Sequence, residues 1–370
     1  MALRMLGVVP SPSPVVDAVA DRLSLFLDGV RAEAVAYGPD AEAMLAAAAD
    51  TLVGGKRLRA RFCHAGWTAV ARSLDAAASE PDSLWGVCAA LEIFQSAALV
   101  HDDLIDNSDT RRGKPAAHRA LEDAHRGSGW SGDAAAFGRS AAILLGDLLV
   151  AWSDDLLEDA LTGHPHAPAV RREYGRMRRD VTVGQFLDIA EESAWSVNAT
   201  DSHLDRALRI ASLKSARYSV EQPIVLGAAL AGADDTQVRA LRRFGHPVGM
   251  AFQLRDDVLG VFGDTRVTGK PAGDDLREGK RTVLVALTRS RLDDETRALF
   301  DGMLGDPALT AEQVSILQDA IERTGALAEV EEMIGAYAAA AEKAIGDAGF
   351  DATAVADLHD IATAATVRSA

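Results

Sequence analysis

The chain has 370 residues, with 38 Lys and Arg against 55 Asp and Glu and a formal net charge of −17. That balance argues against a nucleic-acid binder, because a polyanion would be repelled. Alanine is abundant, aromatics make up 5%, and runs rich in Val, Ile and Thr are nearly absent, so helices are expected and a strand–turn–strand rhythm is not.

Residues 1–14 read as a loose arm ending in Pro-Ser-Pro-Ser-Pro, without the apolar stretch of a signal peptide. Helical patterns follow at about 15–37, 40–53, 57–77, 82–108, 133–162, 167–193, 200–232 and 234–263. Shorter ones lie at 280–291, 293–304, 310–324, 326–347 and 351–367. Gly- and Pro-containing breaks fall at 38–39, 80–82, 127–129, 163–166 and 263–280. Pro223 and Pro247 sit inside helical patterns and are expected to kink them. Several patterns exceed 25 residues and are apolar over much of their circumference, which suits the middle of a bundle. The best apolar run, Ala141 to Trp152, is interrupted by Gly146 and Asp147, so no membrane-spanning segment and no stable membrane insertion are expected. Cys63 and Cys88 lie in apolar helical stretches and read as buried free thiols, which fits a cytoplasmic protein. No repeat or long linker appears, so residues 15–370 are expected to form a single all-α domain.

Most of the chemistry is in His101-Asp102-Asp103-Leu104-Ile105-Asp106-Asn107-Ser108-Asp109-Thr110-Arg111-Arg112. On a helix, Asp102 and Asp106 project from one face about 6 Å apart along the axis. That spacing suits Mg²⁺, which completes its shell with water and substrate phosphate. Asp103 points about 100° away and would orient the site. A solvated acidic helix end is the rival reading, but the preceding Ala97, Ala98, Leu99 and Val100 are apolar. A second acid pair, Asp256-Asp257, follows Phe252-Gln253-Leu254-Arg255 in a helical pattern and suggests a second wall of the same metal site. Arg111-Arg112-Gly113-Lys114 is either an exposed basic turn or a pair of guanidinium forks for diphosphate. Gly54-Gly55-Lys56-Arg57-Leu58-Arg59 offers glycines and three cations before a helix, a plausible anion cradle. Thr268 to Arg281 carries Lys270 and Lys280 and is either a solvated loop or a lid.

From about residue 50 to residue 285 these motifs, in order and spacing, closely resemble the trans-isoprenyl diphosphate synthases, head-to-tail prenyltransferases that include geranylgeranyl diphosphate synthases. The resemblance implies an all-α bundle of the isoprenoid synthase type with a central active-site cavity, a homodimer, and about three Mg²⁺ ions per site. It implies a catalytic set of Asp102, Asp103, Asp106, Arg111, Lys214, Asp256 and Asp257, with Asp102, Asp106 and Asp256 holding the metal. It assigns Arg111, Gln185, Lys214, Ser215, Gln253, Lys270 and Lys280 to the allylic diphosphate, and Lys56, Arg59, Gln95 and Arg112 to isopentenyl diphosphate. Gln185 and Asp188 match a helix facing the reacting carbons. Three positions depart from the commonest family pattern: Gly260 replaces the third acid of the second motif, Gln95 stands where His is common, and Ser215 replaces Thr.

The growing tail would run back along the helix from Asp102 past Ala98, Ala97, Phe94 and Leu91, with Phe94 about 12 Å below as a candidate floor or as ordinary core. The expected main product is C20 geranylgeranyl diphosphate, with C25 or longer, or C15, as alternatives. Three rivals are weighed: a phosphohydrolase using His64 and His101-Asp102, a terpene cyclase, and a non-catalytic partner subunit. The first leaves the arginines unexplained, the second needs no second cation-lined site, and the third loses acids or arginines that this chain keeps. His164 and His166 read as a solvated turn, and Arg368 as a frayed end.

Overall fold

A computed structural model describes residues 14–74, 79–263, 273–346 and 348–366. The predicted arm (but for Pro14), Lys270 with residues 268–272 of the predicted lid, and Arg368 lie outside the described residues. The described chain is helical apart from one pair of two-residue strands, as expected of an all-α protein. It divides into two compact units.

The first unit comprises Met1–Arg61, Pro81–Leu104 and Ala117–Leu161. It holds α1 (Pro14–Ala34), α2 (Glu42–Thr51), the start of α3 (Leu58–Leu74), all but the last residue of α4 (Asp82–Ile105), α5 (Ala117–Gly127) and α6 (Ala134–Leu161). Leu84, Val87, Leu91, Ile93 and Phe94 of α4 are all buried, each such side chain contributing about 1.5–3 kcal/mol. Small residues bring α4 and α6 together: a Cβ at Gly86 would stand 2.5 Å from that of Ala160. Ser153 Oγ also donates to Ala90 O at 2.7 Å. The helix α5 was not anticipated. Its buried face is His118, Leu121, Glu122 and His125, so a search for apolar periodicity passes over it. A cleft of about 550 Å³ opens between α1 and α2, lined by residues such as Leu27, Val30, Leu45 and Ala49, and its lining includes no predicted site residue.

Both α4 and α6 are long and apolar enough to cross a membrane, with a mean hydropathy of 1.5. A count of uninterrupted runs passes over both, because scattered Gly, Ser and Asp break a run without making a whole window polar. In α4, 72% of that window is buried, as in a core helix, whereas in α6 only 33% is, and Ile143 and Leu144 are exposed.

The second unit comprises Phe62–Glu80, Ile105–Ala116 and Thr162–Ala370. Strands β1 (Thr110–Arg111) and β2 (Lys114–Pro115) pair antiparallel. Then come α7 (Ala167–Ala194), α8 (His203–Ile210), a π-helical stretch over Ala211–Glu221, α9 (Gln222–Leu230) and α10 (Asp235–Phe262). The remainder is α11 (Asp274–Glu278), α12 (Val283–Arg291), α13 (Asp294–Met303), α14 (Ala311–Arg323), α15 (Ala326–Gly346) and α16 (Ala352–Thr366). A capping box of Asp234 and Gln237 starts α10, which packs on α15 and on the π-helical stretch. Arg255 of α10 grips Glu331 of α15 with two hydrogen bonds of 2.5 and 2.7 Å. Leu254, Leu284, Phe300, Leu317, Ile321 and Val330 fill the core beside it. The pattern expected as one helix over 200–232 is thus four segments, a 3-10 turn at Thr200–Ser202 followed by α8, the π-helical stretch and α9, with Pro223 in the first turn of α9 where the π-helix gives way. Pro247 lies inside α10.

Candidate active site

Within the first unit, α4 carries Leu91, Phe94, Gln95, Ala97, Ala98, Asp102 and Asp103. Leu91 is fully buried, Phe94 and Ala97 nearly so, and Gln95, Ala98 and Asp102 are half-buried. Asp103, expected to orient and not to bind, is buried. His101 is engaged with α6: its Nε2 lies 3.3 Å from Ile143 O and 3.6 Å from Asp147, and Gly146 leaves room for the imidazole. That packing explains His101 without the metal role a hydrolase would need. The helix ends at Ile105, three residues before the predicted end, and Asp106 is the turn residue directly after it. Asn107 follows with φ 53°, a left-handed conformation that Asn tolerates and that stops a helix.

The predicted anion cradle is a turn with positive φ at Gly54 (74°), Gly55 (90°) and Arg57 (49°). Its three cations have different fates. Arg57 is buried, donating from Nη2 to Leu52 O at 2.5 Å, with Nη1 3.6 Å from Glu92 Oε2. Glu92 Oε1 also accepts from Ala60 N at 3.1 Å, so this acid fastens the start of α3 to α4. Lys56 is exposed and Arg59 half-buried.

In the second unit, Arg111 and Arg112 sit on the β1–β2 hairpin. Arg112 (φ 53°) and Gly113 (φ 73°) form its two-residue turn, the backbone pattern that tight hairpins favour. Arg111 is half-buried and Arg112 exposed. From α7, Asp188 meets Lys214 of the π-helix, with Nζ 2.5 Å from Oδ2. Gly184, one turn before Asp188, allows that approach, since a Cβ there would overlap the Lys214 main chain. Gln185 and Ser215 are half-buried beside them in sequence. Wide π turns recur at functional sites, and this one carries both Lys214 and Ser215.

The second acid motif divides by burial: Asp256 is exposed and Asp257 buried. Gln253, expected to touch diphosphate, donates to Asp257 Oδ1 at 2.6 Å. The Asp257 carboxyl is pushed well above the usual carboxylate range, first by burial and then by the neighbouring Asp275. Asp275 also lies against Gly260. A Cβ at position 260 would overlap the Asp275 carboxylate, so a second acid occupies the space beside the position where the family's commonest pattern has one. Lys280 ties these groups together, its Nζ 2.7 Å from Glu278, 3.6 Å from Asp106 and 3.8 Å from Asp275. Ser108 Oγ donates to Glu278 Oε1 at 3.2 Å, so the segment after the first acid motif is joined to the segment after the second. Ser108, Asp275 and Glu278 lie inside the segments singled out by sequence but carried no assigned role, and Glu192 lies outside those segments. The Glu192 carboxyl, one turn beyond Asp188 on α7, is raised to about 7 by partial burial and by Asp188 and Asp106.

Among the described residues, no three His, Cys, Asp or Glu side chains are gathered closely enough to hold a metal ion alone. The donors nevertheless fit Mg²⁺, a hard cation that takes one or two carboxylates and fills its shell with water and phosphate oxygens. Carboxylates crowded enough to raise the Asp257 carboxyl, with the Lys280 ammonium among them, are a setting that a further cation would stabilise.

Residues 42–323 match the family model for polyprenyl synthetase. The chain is 31% identical over 274 residues to the geranylgeranyl diphosphate synthase of Sulfolobus acidocaldarius, spanning 73% of this chain and 74% of that one. To a geranylgeranyl diphosphate synthase of Mycobacterium tuberculosis it is 37% identical over 234 residues, spanning 62% of this chain and 60% of that one. A solved structure of geranylgeranyl pyrophosphate synthase from Corynebacterium glutamicum, complexed with isoprenyl diphosphate and magnesium, is similar with a TM-score of 0.89 and 37% identity. That similarity covers 95% of this chain and 98% of the other.

Proposed function

The chain belongs to the polyprenyl synthetase family, and from that premise we propose that it is a Mg²⁺-dependent prenyltransferase. It joins isopentenyl diphosphate head to tail to an allylic prenyl diphosphate and makes chiefly the C20 product. The observation that carries this reading is the position of Lys280, whose ammonium lies beside both Asp106 of the first acid motif and Asp275, the acid next to Gly260 of the second.

In this reading Asp102, Asp106 and Asp256 hold magnesium, three ions per site, while Asp103 and Asp257 orient them. Bound magnesium neutralises the charge that grows on the diphosphate leaving group. Arg111, Lys214, Ser215, Gln253, Lys270 and Lys280 bind the allylic diphosphate, and preorganised cations of this kind stabilise a leaving anion without reorganising. Lys214 and Lys280 arrive already aimed, the first by Asp188 and the second by Glu278. Lys56, Arg59, Gln95 and Arg112 bind isopentenyl diphosphate, and Gln185 and Asp188 stand beside the reacting carbons. Cleavage of the allylic C–O bond leaves a carbocation, the isopentenyl double bond attacks it, and the departed diphosphate takes the proton. Leu91, Phe94, Ala97 and Ala98 set the length of the tail.

The family match runs through residues belonging to both units, which supports residues 15–370 working as one domain. The exposed apolar side chains Ile143 and Leu144 of α6 support a homodimer that covers this helix with a second copy. Cys63 and Cys88, buried thiols outside any disulfide, suit the cytoplasm.

Incubation with geranyl diphosphate, isopentenyl diphosphate and Mg²⁺, followed by mass measurement of the products, tests the proposal. A dominant C20 chain is expected. Diphosphate release without condensation, or inactivity until a second protein is added, would refute it, and arrest at C15 would refute the product length.

A further inference from the structure

Trp195, the residue just past α7, is 4% exposed and gathers cations around its indole. The guanidinium carbons of Arg281 and Arg289 lie over the ring, 5.1 and 5.2 Å from its centre. The His203 ring stacks on it at 3.9 Å between centroids, tilted by 35°. The indole Nε1 donates to Asp301 Oδ1 at 3.2 Å.

Most of these neighbours are fixed by hydrogen bonds of their own. Arg289 donates to both oxygens of Asp301 at 3.1 and 2.9 Å and to Thr200 Oγ1 at 3.0 Å. His203 Nδ1 lies 2.7 Å from the fully buried Glu191, which Arg206 also contacts. Arg281 is the exception. Its Nε and Nη1 are buried and, among the described residues, have no hydrogen-bond partner. The indole face is therefore the contact that seats it, of the kind worth about 0.5–2 kcal/mol, while Asp301, Glu192 and Glu191 supply opposite charge nearby.

Arg281 directly follows Lys280 in a stretch without regular structure. One residue later, Thr282 caps α12, its Oγ1 accepting from Val285 N at 3.4 Å. The link between the Lys280 cluster and the rigid helix is thus two residues long, and Arg281 on Trp195 is its anchor.

We infer that Trp195 is a positioning residue for prenyl transfer: by seating Arg281 it fixes the backbone from which the Lys280 ammonium reaches the allylic diphosphate. The inference rests on the assignment of Lys280 to that diphosphate. Its physical basis is geometric, since misplacing a binding group by about 1 Å can cost up to about 10²-fold in rate. A purely structural Trp195 would instead lower stability and weaken both substrates alike.

The test is a double-mutant cycle of Arg281→Leu with Lys280→Ala, together with Trp195→Leu and Trp195→Phe, reading KM and kcat for each substrate and the unfolding midpoint. Trp195→Leu and Arg281→Leu should each raise KM for the allylic diphosphate by about tenfold, the scale of one lost cation–π contact. KM for isopentenyl diphosphate should stay within about twofold. Trp195→Phe, which keeps an aromatic face, should restore most of the loss. Once Lys280 is already Ala, Arg281→Leu should add nothing. Additive effects in that cycle, or parallel loss for both substrates, overturn the inference while leaving the prenyltransferase reading intact. If Lys280→Ala itself leaves allylic binding unchanged, the assignment of Lys280 fails and the inference with it. Should Trp195→Leu not fold, the Arg281 cycle decides the matter alone.

Discussion

The Lys214 ammonium lies 2.5 Å from the Asp188 carboxylate, across a contact that Gly184 keeps open. In the proposed mechanism the acid would neutralise the cation between turnovers and hold it for an incoming diphosphate. Lys214→Ala should lower kcat/KM for the allylic substrate by about 10²–10³, the usual effect of removing one preorganised donor. Asp188→Asn, which leaves the cation in place, should cost much less. Steady-state kinetics on both variants check the ranking, and equal losses would show that Asp188 acts on its own account.

The pairing of Arg57 with Glu92 is structural. Both are buried, and Glu92→Ala would leave a guanidinium without its counter-charge. A loss of about 3–5 kcal/mol is expected from urea unfolding, most of it recovered by replacing Arg57 with Met and Glu92 with Leu together. A loss of under about 1 kcal/mol would place the pair with ordinary surface bridges.

Glu192 gives a pH dependence of known sign. Its carboxyl rises from the ordinary 4.5 to about 7 in the folded protein, so the folded state holds a proton that the unfolded chain has released. The resulting stabilisation is complete below about pH 4.5 and is lost as pH rises through about 7. In the presence of a chelator, Glu192→Gln should melt with the parent at low pH and above it near pH 8. Identical melting at both ends would mean that the carboxyl titrates normally.

Phe94 is the candidate floor of the tail site and is 7% exposed. Phe94→Ala should shift the products toward C25 and longer chains. Because the substitution also costs about 3–5 kcal/mol of stability, the readout is the ratio of chain lengths, not the yield. An unchanged ratio would reduce Phe94 to core packing.

Whatever repeats at 3.6 residues with an apolar face was legible in the sequence, and so were the acid and arginine motifs as local patterns. Helix α5 was not, because His118, Glu122 and His125 point inward where apolar residues are the usual signal. The π-helix over Ala211–Glu221 was not either, since its wider turn changes which residues share a face. The Gly54–Arg59 turn presented three cations as equals, and only burial separates Arg57 from Lys56 and Arg59. The meeting of Ser108 with Glu278 joins residues 170 positions apart, and nothing local in either motif announces it. Residues recruited by tertiary proximity carry no signature in spacing.

The fit of Gly260 against Asp275 constrains how this chain can change over time. A side chain at 260 would have to push aside the end of the Asp275 side chain, so the two positions compete for one volume. Replacements at 260 and 275 should therefore be non-additive, each altering what the other position tolerates.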